Sequence, residues 1–312
     1  NLPDELIEKS EIENLTDMDS LKSANIIKHK QKLIITTDSV SDIPEEVLKQ
    51  HNIMCMPYYV VTGNGRFKDN SEISQSNVIE CLLQDKDSVK SVCGSLDEYE
   101  RFFAQALNLG EKVLHVATSR DISFGYEVAL EAAESFGDVT VFDSRQMSAG
   151  VGLVALKAAE LAKFIYSPEE LSRKLIQYIP QISTSFIIPD FSYVEQRRMP
   201  VKIYTKLVNS SNSHPVVRIR KGKIFFVVTY MGDYNRTIQR FIDRTLKKTD
   251  DIDDSELYIM QMELSNDRLE FIKREIEKRI HFKKIHVLPT SAAIACNSGP
   301  ESFGLVFERK DK

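Results

Sequence analysis

From Lys32 onward, short apolar runs rich in β-branched residues alternate with longer segments whose apolar positions recur at helical spacing. The runs Lys32–Thr37, Ile53–Thr62, Lys112–Ala117 and Val139–Phe142 predict strands, the second starting around its Pro57. Pro44–Gln50, Ser74–Leu83, Asp97–Leu107, Phe124–Ser135 and Val151–Ile165 predict helices between them. Asp42 reads as the N-cap of the first helix, ahead of the acidic turn Glu45-Glu46. Gly63-Asn64-Gly65 marks a turn, with Arg66–Asp69 as the return strand of a hairpin. Strands and helices alternating at this rhythm imply βαβ units on a parallel sheet.

The pattern changes in the second half. Ser167-Pro168-Glu169-Glu170 is a helix start, with Ser as N-cap, Pro at N1 and Glu at N3. Beyond Ile179, Thr184–Ile188, Val216–Ile219 and Ile224–Thr229 predict strands, the last two joined by Arg220-Lys221-Gly222-Lys223. Ile238–Lys247 and Asp267–Arg279 predict helices; Leu257–Glu263, Lys284–Leu288 and Gly304–Glu308 predict strands. The chain therefore divides into a polar extension or linker at 1–31, a parallel α/β domain at 32–166 and a mixed α/β domain at 167–312. The first segment is rich in Asp, Glu, Asn, Ser and Lys and lacks an initial Met, which fits a tail or a join to a longer protein.

Composition narrows the function classes. A net charge of −5 gives no reason to expect nucleic acid. No apolar run approaches the length of a membrane span, and the polar N-terminus is no signal peptide. Cys55, Cys81, Cys93 and Cys296 have no metal-ligand spacing and read as reduced residues of a cytoplasmic protein. The P-loop, the dinucleotide fingerprint and G-x-S-x-G are missing, and no cofactor is expected. His115 sits in an apolar strand and reads as core; His29, His51 and His281 read as solvated.

The candidate chemistry is a set of hydroxyls at strand ends. Two strands run into the same dipeptide, Asp38-Ser39 and Asp143-Ser144. Ligands of open α/β sheets sit outside the carboxyl ends of the strands, so these corners mark one edge. Thr118-Ser119 follows another strand, and Ser91 and Ser95 flank Cys93-Gly94 before a helix. Serines at helix N-termini can bind an anion; taken singly, each more simply caps its own helix. Gly150-Val151-Gly152 reads as a tight turn permitting close helix packing. Asn297-Ser298-Gly299-Pro300 precedes the last strand and reads as a turn or as a loop folding over the ligand edge. Gln196-Arg197-Arg198-Met199 adds basic charge after the domain junction.

Several of these segments resemble the DegV family, bacterial proteins that bind fatty acids. Thr37-Asp38-Ser39-Val40-Ser41-Asp42-Ile43-Pro44 looks like its first-strand motif, and Gly63–Asp69 like the hairpin that follows. Asp143-Ser144 through Ser148-Ala149-Gly150-Val151-Gly152 resembles its D-S-x-x-x-S-x-G-x-G corner, and Asn297–Gly304 its closing loop. The resemblance spans Lys32 to Arg309 in order. It implies a two-domain α/β fold: a flavodoxin-like parallel-sheet domain and a second domain with a mixed sheet. It also implies a long-chain fatty acid between them, carried for a partner kinase rather than chemically transformed by this chain. The residues matched for the carboxylate are Ser91, Thr118, Ser119, Ser123 and Asn297, with Arg197 and Arg198 for a partner or phosphate.

The chain departs from the family pattern near the headgroup. Val92 replaces a hydroxyl, Phe124-Gly125 replaces Gly-Thr, and Asn297 stands for the closing His. Phe124 is expected to add bulk near the headgroup, and Arg120-Asp121 to place an ion pair there. These losses motivate a rival reading: a regulatory or interaction domain of a larger protein, such as one fused to a dihydroxyacetone-kinase-like domain. A third reading, group transfer with a metal on Asp38 and Asp143, competes with both acids simply accepting backbone hydrogen bonds at their turns.

Overall fold

Residues Ile34–Asp38 form β1 and are all buried, as a strand covered on both faces must be. The computed structural model describes residues 30–85, 88–190 and 212–311. β1 lies between β2 (Met54–Met56) and β6 (Val113–Ala117), with β7 (Val139–Asp143) beyond β6. All three pairings are parallel, giving the order β2-β1-β6-β7. The helices of this half are α1 (Glu45–Gln50), α2 (Gln75–Gln84), α3 (Leu96–Leu109), α4 (Gly125–Ala133) and α5 (Ala149–Leu161). α3 and α4 cover one sheet face, where Tyr99, Phe103, Ala129 and Ala132 join Ile34 and Val113 in one core.

The single strand expected over Ile53–Thr62 is two. Pro57 lies between β2 and β3 (Tyr59–Thr62), and the two belong to different sheets. Proline has no N–H to continue the ladder, so the chain changes partners there. β3 pairs antiparallel with β4 (Gly65–Lys68), the expected hairpin, and with β5 (Lys90–Val92), a three-residue strand that its polar sequence conceals.

After α6 (Pro168–Tyr178), capped by Ser167 as expected, comes the mixed sheet. It comprises β8 (Ile182–Ile187), β9 (Ser213–Arg220), β10 (Lys223–Met231), β11 (Ile252–Gln261), β12 (Lys284–Pro289) and β13 (Phe303–Arg309). Their order is β10-β9-β8-β13-β11-β12, with β11 and β12 parallel and the other neighbours antiparallel. α7 (Tyr234–Thr245) and α8 (Asn266–Glu277) cover the outer face. Alternation sorts the side chains: Phe186, Val217 and Val306 face inward, while Ile187, Val216 and Leu305 face α7 and α8.

The two large sheets fall on either side of residue 167, yet one apolar core joins them. α5 shares that core with strands of both and is buried almost all round, which explains its run of small and apolar residues. A Cβ at Gly152 would lie 2.7 Å from the Ser41 carbonyl oxygen, so glycine is what lets α5 approach that backbone.

The site depends on one further piece, the short helix α9 (Ala292–Ala295). Every helix N-terminus leaves backbone N–H groups without internal partners. Here they go to side chains. Ser291 N donates to Asp42 Oδ1 at 2.7 Å, Ala292 N to Asn70 Oδ1 at 3.2 Å, and Ala293 N to Asp69 Oδ1 at 3.1 Å. Ile294 N donates to Ser291 Oγ at 3.3 Å. Asp42 is therefore not the N-cap of α1. That position is Pro44, with no side-chain cap, and the Asp42 carboxylate serves a helix 249 residues away. Ser148 Oγ, in the glycine-rich corner before α5, donates to its other oxygen at 2.5 Å.

Burial pushes the Asp42 carboxyl from its ordinary value of 3.8 up to about 7, against the lowering effect of its hydrogen bonds from Ser148 and Ser291. Between these values the folded chain holds a proton that the unfolded chain has lost, so stability falls as pH rises through this window. We expect denaturant unfolding to show that decline, and Asp42→Asn to flatten it; an unchanged profile in the variant would show that Asp42 is not its source. For α5, Gly152→Ala should lower stability by about 1–3 kcal/mol through overpacking. Equal unfolding midpoints for the two chains would contradict the close contact with Ser41.

Candidate functional site

α9 delivers Asn297 to the edge of the parallel half. Its Nδ2 donates to Ser91 Oγ at 2.9 Å and to the Ala293 carbonyl at 3.1 Å. Ser91 lies on β5, opposite Val60 of β3. The contact thus joins positions 206 residues apart. With both amide hydrogens engaged, Asn297 leaves the Ser91 hydroxyl hydrogen unspent.

A second pair of hydroxyls stands at the end of β6 and the start of α4. Ser123 Oγ shares a 2.7 Å hydrogen bond with the Tyr58 phenol and accepts from Gly125 N at 3.1 Å. A Cβ on Gly125 would collide with the Tyr58 hydroxyl and meet Cys93 Cβ at 3.3 Å. Glycine at 125 therefore makes room for Tyr58, while Cys93 links this pair to the strand that carries Ser91. Val40, Tyr58 and Ala293, with Cys93 and Ile294 against them, form a small apolar cluster among these hydroxyls. Burial, with the Asp38 charge adding to it, pushes the Tyr58 phenol well above its ordinary range, so it stays neutral.

Thr118 is buried, and its backbone N donates to Asp38 Oδ2 at 3.0 Å. Its Oγ1 lies near the Tyr58 phenol but makes no hydrogen bond of normal geometry. A buried hydroxyl without a partner is uncommon. Asp38 also accepts from Tyr99 at 2.9 Å, and Asp143 accepts from Arg145 N at 2.9 Å. Both acids are engaged at their turns. Ser39 of the first corner accepts from Tyr58 N at 3.0 Å and donates to Asp69 at 2.5 Å, tying the corner to the cap of α9.

The remaining sequence candidates lie elsewhere. Ser119 Oγ donates to the Gly222 carbonyl at 2.7 Å, in the turn between β9 and β10. Gly222 has φ +81°, and a Cβ there would stand 2.8 Å from that hydroxyl. Ser119 therefore holds the hairpin of the mixed sheet against the end of β6. Ser95 caps its own helix, accepting from Glu98 N. Phe124 is 83% exposed and adds no bulk to the hydroxyl cluster. Arg120 faces Asp143 at 3.6 Å rather than pairing with Asp121. Arg197 and Arg198 lie outside the described residues.

Tyr58 and the Asp42–Asp69–Asn70 cap escaped the sequence reading. Tyr58 sits in an apolar run that reads as strand interior, and only its position just after Pro57 hints at a special role. Arg66 near this edge is already committed: it donates twice to Glu98, at 2.9 and 2.7 Å, and stacks over the Tyr59 ring. That pairing holds the Glu98 carboxyl well below its usual range. What the edge offers an anion is therefore hydroxyl hydrogens, from Ser91, Thr118 and the Tyr58–Ser123 pair. A cleft of about 460 Å³ with Asp42 in its wall is lined from both parts of the fold, mainly by apolar side chains such as Ile43, Leu153, Leu156 and Leu288, with Lys157, Glu160, Glu256 and Glu308 among its polar groups.

Comparison with known proteins agrees with this architecture. A DegV domain-containing protein of Caldanaerobacter subterraneus is 22% identical over 282 residues, covering 90% of this chain and all of that one. A solved structure from Thermus thermophilus, described as fatty acid binding of a DegV family protein, superposes with a TM-score of 0.79 at 20% identity, covering 89% of this chain and 99% of that one. A Bacillus subtilis structure, described as DegV, a fatty acid binding protein, gives 0.76 at 18% identity, with coverage of 89% and 99%. The family model described as uncharacterised protein, DegV family, matches residues 32–310, from the first strand of the parallel sheet to the end of the last strand of the mixed one. The chain belongs to the DegV family.

Proposed function

We propose that this protein binds a long-chain fatty acid between its parallel-sheet part (32–166) and its mixed-sheet part (167–312), with the carboxylate at the hydroxyl edge. The observation that supports the reading is the Asn297–Ser91 hydrogen bond, which joins positions 206 residues apart and leaves the Ser91 hydroxyl hydrogen free for a ligand. The unpartnered Thr118 hydroxyl and the Tyr58–Ser123 pair supply further donors. The Thermus and Bacillus structures described as fatty-acid-binding support the same ligand class.

The energetics suit a lipid. Each buried CH₂ contributes about 0.8 kcal/mol, so a long acyl chain gains roughly 10 kcal/mol before ordering and association costs. A hydrogen bond to a charged group adds about 1.5–3 kcal/mol. Affinity thus comes mainly from the chain, and the hydroxyls fix the headgroup. We further propose that the chain is a carrier, presenting the carboxylate to a partner kinase that supplies the phosphoryl chemistry, with Arg197 and Arg198 as contacts.

Solvent extraction of the purified protein followed by mass spectrometry should find a fatty acid near equimolar amounts. Protein that carries no acyl chain and takes up neither palmitate nor oleate would overturn the proposal and favour an interaction domain. Ser91→Ala and Thr118→Val should each weaken oleate binding about tenfold, the loss of one charge-assisted hydrogen bond. Unchanged dissociation constants in both would move the headgroup elsewhere.

A further inference from the structure

The outer face of the mixed sheet concentrates positive charge that the carboxylate site does not use. Arg218 on β9 stands opposite Ser185 of β8, and its Nε donates to Ser185 Oγ at 3.0 Å. Val216 and Ile187, two residues away on each strand, belong to the core under α7 and α8, so both side chains lie on that outer face. Arg218 is half-buried. Arg220 follows two residues on from Arg218 and so shares its face, Arg309 of β13 stacks over Phe307 of the same outer core at 5.3 Å, and Arg244 ends α7, which covers that face; all three bear on the Arg218 charge. Burial and all three arginines act in the same direction, against its proton.

Among the described residues, none of these four arginines forms an ion pair with a carboxylate. The C-terminal end of α7 accounts for Arg244, since a helix C-terminus favours a cation. It does not account for Arg218, which lies on a strand and uses only Nε for a hydrogen bond, leaving its terminal nitrogens available. Guanidinium forks match tetrahedral oxyanions two hydrogen bonds at a time, and converging arginines are how proteins recognise phosphate groups. A half-buried charge ringed by like charges is destabilising until an anion joins it.

We propose that Arg218, Arg220, Arg244 and Arg309 form a binding site for a phosphate-type oxyanion on the outer face of the mixed sheet. The site is independent of the fatty-acid reading and has no residue in common with it. Its ligand is a phosphate group, either free or carried as a monoester.

The test is calorimetric titration and thermal unfolding of the full chain with inorganic phosphate and with phosphoserine, at matched ionic strength in chloride. Saturable binding and a raised Tm are expected. Arg244→Ala, at an exposed position, should weaken binding about tenfold, the loss of one charge-assisted contact. Arg218→Met should abolish it and raise Tm in phosphate-free buffer. Tighter binding of phosphoserine would identify a monoester as the ligand; equal binding would identify free phosphate. Absence of saturable binding by both probes would overturn the proposal. So would phosphate affinity that survives Arg244→Ala and Arg309→Gln undiminished, a comparison that holds even if Arg218→Met does not fold.

Discussion

The construction of this protein turns on the N-terminus of α9. A four-residue helix cannot sustain itself, and its free N–H groups must find acceptors. Asp42, Asp69 and Asn70 provide them, from the loops after β1 and β4. Two buried Asp side chains thereby hold a segment that arrives after β12, almost at the end of the chain. Burial raises both acids above their ordinary range, while the hydrogen bonds they accept pull the other way. The same network reaches Ser39 and Ser148, so the first strand corner and the glycine-rich corner before α5 are fastened to the cap. Asn297 reaches Ser91 because this cap fixes where the end of α9 lies.

Sequence patterning revealed the parallel sheet and most of the mixed one, because their strands are apolar runs that periodicity detects. It failed where the deciding partner is distant. Asp42 sits two residues before a helix start and looks like its cap, yet its bond is to Ser291, far along the chain. β5 is a three-residue strand, Lys90–Val92, with too little apolar pattern to register. Pro57 sits in a run that is apolar on both sides, so periodicity joined two strands that the missing N–H separates.

The site was legible as residue types and less so as geometry. Ser91 and Asn297 meet, and Thr118 and Ser123 gather around Tyr58, a residue that apolar context had hidden. Ser119 looked equivalent to Thr118 in sequence, but a strand-end hydroxyl can turn either way, and Gly222 offers it a carbonyl at hydrogen-bond distance. Phe124, expected to add bulk near the headgroup, points its ring to solvent, and Gly125 instead determines the fit by admitting Tyr58.

In the proposed headgroup site, with Arg66 already committed to Glu98, hydroxyls would hold the anion by hydrogen bonds and leave most of the affinity to the acyl chain. The site proposed on the outer face has the converse character, guanidinium charge in place of hydroxyls. The most direct measurement of the central claim is an experimental structure of the protein saturated with oleate. The carboxylate is expected within hydrogen-bond distance of the Ser91 and Thr118 hydroxyls, beside Tyr58. A headgroup found elsewhere, beside Lys157 in the cleft around Asp42 or on the outer face, would contradict it.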